Sequence, residues 1–470
     1  MRILRLVLVT IVVLLAGAVV VWLVAGRISR QRTEEQLAQQ AAEIAAHRQA
    51  QRAEPTVTPT ATPTVTPFAT PAPEPAADSP AVRAIAWTRH WAGFRGARRD
   101  GRYSAGPIRT DWSSLRPLWR QPVGGGYASF AAADGRAFTI EQRGPDEVAV
   151  AYDVLTGREL WTNAWKAAFI ENMGAGPRAT PAFHDGTVFV LGATGELRAL
   201  DASNGKLRWR ANILQDANAG NLNWGMAASP LVVGNTVVTV PGGGNGHSIV
   251  AYDRATGRVA WSALDDEASY SSPVKMTLAG VDQIVVVSAE RVVGVSLDRG
   301  AMLWEFPWPG KGGAHAAQPV VIGDNRIFVS SASVAAGAAL EITRDGDRLD
   351  AREVWRTNRM KNDFTTSVYH DGFIYGLDAG ILACIDAASG ELKWKAGRYG
   401  NGQVLVASGH LVVTTEDGEV VLVRATPAGH EELARIPAVE GRTWNHPALA
   451  DGFLLVRNGA QMAAFDLRLR

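Results

Sequence analysis

From about residue 91 onward, apolar and polar positions alternate in short runs, and glycine-bearing turns separate the runs. A period of two is the pattern of strands with one buried face. The runs recur in a fixed order: an alternating stretch reaches an Asp, a polar turn with Gly follows, and a second stretch ends in Trp. The copies are Asp153, Thr156, Gly157 and Trp161; Asp201, Gly205 and Trp209; Asp253, Thr256, Gly257 and Trp261; and Asp386, Ser389, Gly390 and Trp394. A shortened copy carries Asp298, Gly300 and Trp304. The Gly stands where a tight hairpin needs a positive φ, and the Asp and hydroxyl side chains can bond the turn backbone. Each copy therefore predicts a hairpin.

A second hairpin precedes most copies, at the turns Asp185-Gly186, Gly234-Asn235, Asp371-Gly372 and Asp451-Gly452. Two hairpins give four antiparallel strands, the blade of a β-propeller, and a repeat of roughly 40 to 50 residues fits such an array. The Trp slot occurs at Trp119, Trp161, Trp209, Trp261, Trp304, Trp355 and Trp394, with an eighth slot near Ala434 that lacks it. The chain is thus predicted to be all-β, an eight-bladed propeller with four antiparallel strands per blade. Trp119 has no blade before it, and the chain ends without a Trp strand. The Trp119 strand is therefore expected to complete the last blade and close the ring, leaving few open edges. A large ring at one repeated structural position reads as blade docking, together with the Asp and Gly of each motif.

These motifs resemble the quinoprotein-type, or PQQ-like, propeller repeat, Ala-x-Asp-x-x-Thr-Gly-x-x-x-Trp, across residues 91–470. The lead-in containing Trp91, Gly93, Phe94, Arg95, Gly96, Asp100 and Gly101 is similar to that of bacterial PQQ-like repeat proteins. The resemblance implies the propeller of PQQ-dependent alcohol dehydrogenases. It equally implies non-enzymatic relatives such as the lipoprotein that helps assemble outer-membrane proteins. A propeller hosts many unrelated activities, so function must be argued from a site.

The front of the chain adds three further segments. Residues 6–26 are almost wholly apolar, between Arg2 and Arg5 on one side and Arg27, Arg30 and Arg32 on the other. About twenty apolar residues cross a bilayer core as a helix, so residues 1–30 read as an uncleaved signal anchor; the rival is a cleavable signal peptide, against which stand the length of the run and the lack of a small-x-small cleavage site after it. Residues 31–53 predict a juxtamembrane helix whose apolar face, Leu37, Ala41, Ile44 and Ala45, is too short for a coiled coil. Residues 54–82, rich in Thr, Pro and Ala, read as an extended linker. The propeller then occupies residues 83–470. The expected picture is a single-pass protein of the bacterial cell membrane, its propeller outside the cytoplasm on a stalk.

Charge changes the picture mainly by exclusion. With 47 basic and 46 acidic residues in 470, no basic stripe supports nucleic-acid binding. The single cysteine, Cys384, rules out an intramolecular disulfide and reads as a small buried apolar group. No Cys lies near the N-terminus, so the lipid anchor of the assembly lipoprotein is not expected.

Aligning the blades places Tyr127, Arg178, Ala227, Tyr270, Ala316, Phe364, Asn401 and Trp444 at one equivalent position, on loops that feed the channel-lining strands. Trp224, Asn445 and His446 lie beside them. An aromatic mouth with a few convergent polar groups is the default ligand site of a fold whose activity must be found. Its ligand-binding candidates are Arg178, Tyr127, Tyr270, Phe364, Trp444, Asn445, His446 and Trp224. Arg178 could hold a carboxylate through its planar fork.

No catalytic residue and no metal ligand set is predicted. The resemblance to the dehydrogenases would imply PQQ with calcium, but adjacent cysteines are absent and the acidic residues near the mouth, such as Glu171 and Asp363, are scattered. A hard cation needs several converging oxygens. Asp345, Asp347 and Asp350 read as a hairpin tip, and residues 241–246 as a flexible strand connection. The sequence thus points to a non-catalytic binding or scaffold module that takes a protein, peptide or small ligand at the channel mouth or rim loops, with an envelope protein or peptide as the expected partner. The alternative is a PQQ-dependent oxidoreductase.

Overall fold

A computed structural model describes residues 2–53 and 87–469, with side chains at residue 22 and from residue 24 onward. The predicted linker at 54–82 and most side chains of the apolar run at 6–26 lie outside the described residues. Among the described residues, no helix is long and apolar enough to cross a membrane.

Eight antiparallel sheets form the predicted eight blades. Blade 1 runs from its innermost strand, Ala131–Ala133, through Arg136–Arg143 and Asp146–Asp153 to the outermost, Glu159–Lys166. Blades 2 to 7 begin with Ala182–His184, Leu231–Val233, Val274–Leu278, Val320–Val321, Val368–His370 and Gln403–Ala407. Blade 8 consists of Ala448–Ala450, Phe453–Arg457, Gln461–Asp466 and, outermost, Trp119–Pro122. Trp119 pairs with Ala464 and Pro122 with Gln461, so the early strand closes the ring as its lack of a preceding blade implied.

One size rule repeats around the ring. The motif Trp of each outermost strand faces a small residue on the neighbouring strand: Trp161 faces Ala151, Trp209 Ala199, Trp261 Ala251, Trp304 Gly294, Trp355 Ala339 and Trp394 Cys384. Blade 7, where the Trp is missing, inverts the pair: Ala434 faces Leu422. Each pair still sets one larger residue against a small one, though leucine with alanine fills less space than tryptophan with alanine. Cys384 is therefore the small partner of Trp394, fully buried, its thiol pushed by burial up to about 12.

The same rings join the blades. Trp119 of blade 8 lies on Gly157 of blade 1, where an added Cβ would stand 2.7 Å from the indole. Trp161 lies likewise on Gly205, Trp209 on Gly257, Trp261 on Gly300 and Trp355 on Gly390, each Gly belonging to the next blade's motif turn. Trp119, Trp161 and Trp209 donate Nε1–H to that turn, onto Val154, Ala202 and Arg254 carbonyls at 2.9, 3.0 and 2.8 Å. The motif Asp holds the turn: Asp153 and Asp253 accept from both the amide and the hydroxyl of Thr156 and Thr256. Trp304 departs from the pattern. Blade 5 carries a long hairpin, Ala336–Asp345 and Arg348–Thr357, in place of the motif turn, and Trp304 donates to Gln283 of its own blade.

Two features go beyond the predicted ring. The lead-in is a plug in the central channel. Trp91 pairs with Ala132 of blade 1, the Phe183 amide of blade 2 donates to Ala92, and Arg102–Tyr103 lies parallel to the innermost strand of blade 7. The second feature is the helix α1, Arg2–Ala53. Its last turns are no free stalk, for they lie against the propeller wall. Leu37 and Ile44 are buried there, whereas Ala45, expected on the same face, is exposed.

Candidate functional site

The connections from each outermost strand to the next innermost strand converge on one mouth of the channel, and the aromatic positions do come together there in two groups. Trp444 stacks on Tyr127 with ring centroids 5.3 Å apart and meets Phe364 at 4.9 Å. Across the mouth Trp224, more than a third exposed, tilts against Tyr270 at 5.2 Å. The first group is pinned by Arg442, which the sequence reading passed over although it stands two residues before Trp444. Its guanidinium lies 4.5 Å from the Trp444 ring centroid and donates to the Tyr127 hydroxyl at 3.1 Å and the Met173 carbonyl at 2.6 Å. Trp444 Nε1 donates to Glu416 Oε1 at 2.8 Å.

Arg178 is differently placed from the open carboxylate holder its register suggested. Its side chain is almost buried, paired with Glu171, and it donates to the carbonyls of Gly174 and Gly176. Its planar group also lies between the rings of Phe169, at 4.8 Å, and Tyr127, at 5.4 Å. Burial lowers the guanidinium below its ordinary range, with Glu171 pulling the other way. The fork is spent on shaping the 171–178 loop.

Asn445 and His446 lie beneath the aromatic ring. Asn445 donates to the carbonyls of Gly126 and Ala128, at 3.2 and 2.8 Å. Both nitrogens of His446 face carbonyls, Pro447 at 2.7 Å and Val404 at 3.2 Å, and its ring stacks on Trp91 of the plug at 6.2 Å. Burial, with Arg95 nearby, pushes its pKa down to about 3, so it is a neutral packing group.

The plug makes the floor. Arg95 donates to the carbonyls of Thr366, at 2.8 Å, and Ser367, at 2.7 Å. Arg99 reaches those of Ser229, at 3.1 Å, Pro273, at 2.9 Å, and Pro230. Two residues thus tie down the innermost strands of blades 3, 4 and 6. Both guanidinium groups are buried, and burial lowers them to about 10 and about 9, which leaves them charged at neutral pH. Their carbonyl partners sit two or three residues past Ala227, Tyr270 and Phe364 of the mouth. The mouth is an aromatic cup whose floor carries these two buried arginines. Neither arginine was singled out for this role by the sequence reading. The signal was a cluster of glycines, Gly93, Gly96 and Gly101, around two arginines with no nearby acidic run.

A metal-held quinone does not fit these residues. Among the described residues, no three His, Cys, Asp or Glu side chains converge on a metal position. Of the nearby carboxylates, Glu171 is bound to Arg178, Glu416 accepts from Trp444 and the Asn401 amide, and Asp363, pushed above its ordinary range by burial, belongs to no group of three possible ligands among the described residues.

Comparison with known proteins follows the fold. A family model described as outer membrane protein assembly factor BamB matches residues 144–396, more than half of the chain. The protein of that name from Bordetella pertussis is 26% identical over 356 residues, covering 74% of this chain and 85% of its own length. The one from Shewanella oneidensis is 29% identical over 157 residues, 33% of this chain, and the match spans only 37% of that relative. Among solved structures, a europium-containing methanol dehydrogenase superposes with a TM-score of 0.61 at 13% identity, over 81% of this chain and 98% of that one. That likeness shows the fold alone.

Proposed function

We propose, from the premise that the chain belongs to the family described as outer membrane protein assembly factor BamB, that it is a non-catalytic scaffold of the bacterial envelope. In this reading residues 6–26 anchor the chain in the membrane as a single span, the propeller stands outside the cytoplasm, and the mouth holds a protein or peptide partner. The observation that carries it is the aromatic cup. Its Arg178, Arg442, Glu171 and Glu416 are already paired within the mouth, so it presents half-buried ring faces with Trp224 more than a third exposed. Aromatic rings combine large apolar area with polar edges and favour protein recognition. Repeat scaffolds present several loops on one rigid face.

The PQQ-dependent oxidoreductase reading draws on the fold likeness, and the paired state of Arg178 and the scattered carboxylates speak against it. The test is complementation. In a strain lacking the gene, the chain should restore envelope-protein assembly, and Trp224→Ala combined with Tyr270→Ala should fail while accumulating normally. Full restoration by that variant would sink the mouth as the working surface. Saturable, calcium-dependent tryptophan quenching by PQQ, with dye reduction, would replace the scaffold reading by an oxidoreductase.

A further inference from the structure

We infer that the docked end of α1 is a strut that turns the mouth toward the membrane, so that the cup receives an extended segment emerging from the bilayer on a membrane-embedded partner. This rests on the proposed reading of residues 6–26 as a membrane span.

The docking is specific and has a direction. One helical stripe, Leu37, Gln40, Ala41, Ile44, Arg48 and Gln51, faces the seam between the closing strand and blade 1. At its upper end Leu37 and Ala41 meet Gly125 and Gly144, and Gln40 Nε2 donates to the carbonyls of Val123, at 2.8 Å, and Gly459, at 2.7 Å. Gly125 lies on a connection that feeds the mouth, and Gly144 and Gly459 on hairpin tips of the same face. Farther along, Arg48, itself 4% exposed, donates to Gln121 Oε1 at 2.6 Å and the Pro122 carbonyl at 2.8 Å. It also lies 3.6 Å from Glu159 and over the Tyr152 ring. At the lower end Arg158, beside the motif turn, donates to the Gln51 carbonyl at 3.2 Å. The helix therefore descends from the mouth face to the opposite face, and its N-terminal part projects beyond the mouth.

Charge pins the register. Blade 1 presents two carboxylates at the seam, Glu141 and Glu159, both joined to Arg143. Arg48 and Arg52, the latter 3.5 Å from Glu159, supply the second share of positive charge. A helix shifted by one turn would bury Arg48 away from these acceptors, a costly arrangement. The opposite face agrees with this orientation. Trp87, where the described chain resumes, packs on Phe453 and against Gly135 at the hairpin tips far from the mouth.

At 1.5 Å per residue, the stretch from Gly26 to Leu37 leaves a gap of roughly 16 Å between the apolar run and the rim. A small folded domain measures about 30 Å and does not fit, whereas an extended chain or a single helix of about 10–12 Å does. The rim mixes signs, with Lys311, Lys361 and Arg442 among Asp265, Glu267 and Asp363. It lacks the basic cluster that an anionic lipid surface would select. A protein segment rising from the bilayer is the occupant that satisfies both limits.

The experiment uses the full chain in nanodiscs whose lipids carry an energy-transfer acceptor at the headgroup. Single donors are placed at Lys311→Cys, on the mouth face, or Asp324→Cys, on the opposite face; buried Cys384 stays unlabelled. The two faces differ by roughly 21 Å of helix, so with a short-range dye pair whose half-transfer distance falls midway between the two heights the mouth label should transfer at least about threefold more efficiently. Ile44→Arg, which undocks the strut, should erase the difference while the propeller melts as before. Equal transfer from both labels in the parent chain, or stronger transfer from Asp324→Cys, would overturn the orientation. A chain that washes free of the discs would refute the span itself. A folded soluble domain seated in the mouth of the disc-bound chain would overturn the partner class.

Discussion

Replacing Gly205 by Ala tests whether the Trp–Gly contact is what locks one blade to the next. Gly205 has φ +72, and an added Cβ would stand 2.5 Å from Trp161 Cε3. Two costs add: a left-handed residue other than glycine loses about 1–2 kcal/mol, and overpacking a filled site loses about 1–3 kcal/mol. The same blade holds its own control. Gly186 has φ +68 with nothing within 4 Å of its built Cβ, so Gly186→Ala meets the first cost alone. Gly205→Ala should therefore be less stable than Gly186→Ala by about 1–3 kcal/mol. In a Trp161→Ala background the clash is gone, and the two alanines should cost the same. A ring of repeats does not unfold as one unit, so the assay is native-state hydrogen exchange at the blade 1–blade 2 seam, which reads local opening. Equal destabilisation by both alanines in the parent chain would refute the docking role of the contact.

Ala434→Trp puts a large ring opposite Leu422 and should destabilise blade 7 by about 1–3 kcal/mol; adding Leu422→Ala should recover part of that loss, and a double variant worse than the single would refute the size rule. Glu147 is fully buried, and burial pushes its carboxyl up to about 7. Below pH 4.5 both folded and unfolded states hold this proton; as pH rises toward 7 only the unfolded chain releases it, so the parent should lose on the order of 3 kcal/mol relative to Glu147→Gln. Native-state hydrogen exchange in blade 1 of the two proteins should diverge with rising pH across that range, and a constant separation would refute the shift.

The ring was legible because each blade repeats one local problem. A motif such as Asp253, Thr256, Gly257 and Trp261 contains its own turn, cap and anchor, and a period repeated along the chain needs no long-range information. Closure by Trp119 was legible by counting. The plug and the strut were not, because their partners are carbonyls and seams formed by distant segments. Arg99 binds Ser229 and Pro273, and no feature of residues 91–101 names those positions. The apolar stripe through Leu37 and Ile44 was visible in the sequence, but its partner surface exists only after residues 119–122 have joined blade 8. In the mouth, register placed Tyr127, Phe364 and Trp444 together, yet it could not show that Arg178 closes on Glu171 seven residues away.

The closing strand bears on how the molecule is made. Residues 119–122 leave the ribosome more than 300 residues ahead of their partner, Gln461–Asp466. Blades 1 to 7 can form in order as they emerge, because the four strands of each are consecutive in the chain and only the plug strand Arg102–Tyr103 joins blade 7 from afar. Blade 8 has to wait. Until residues 461–466 emerge, the early strand has no sheet to join, and the seam that receives α1 is unfinished. A nascent chain stalled short of residue 461 would expose an open edge at each end of the array, the kind of surface that pairs with other chains. Completion of the ring and seating of the strut become one event, set by the arrival of residues 461–466.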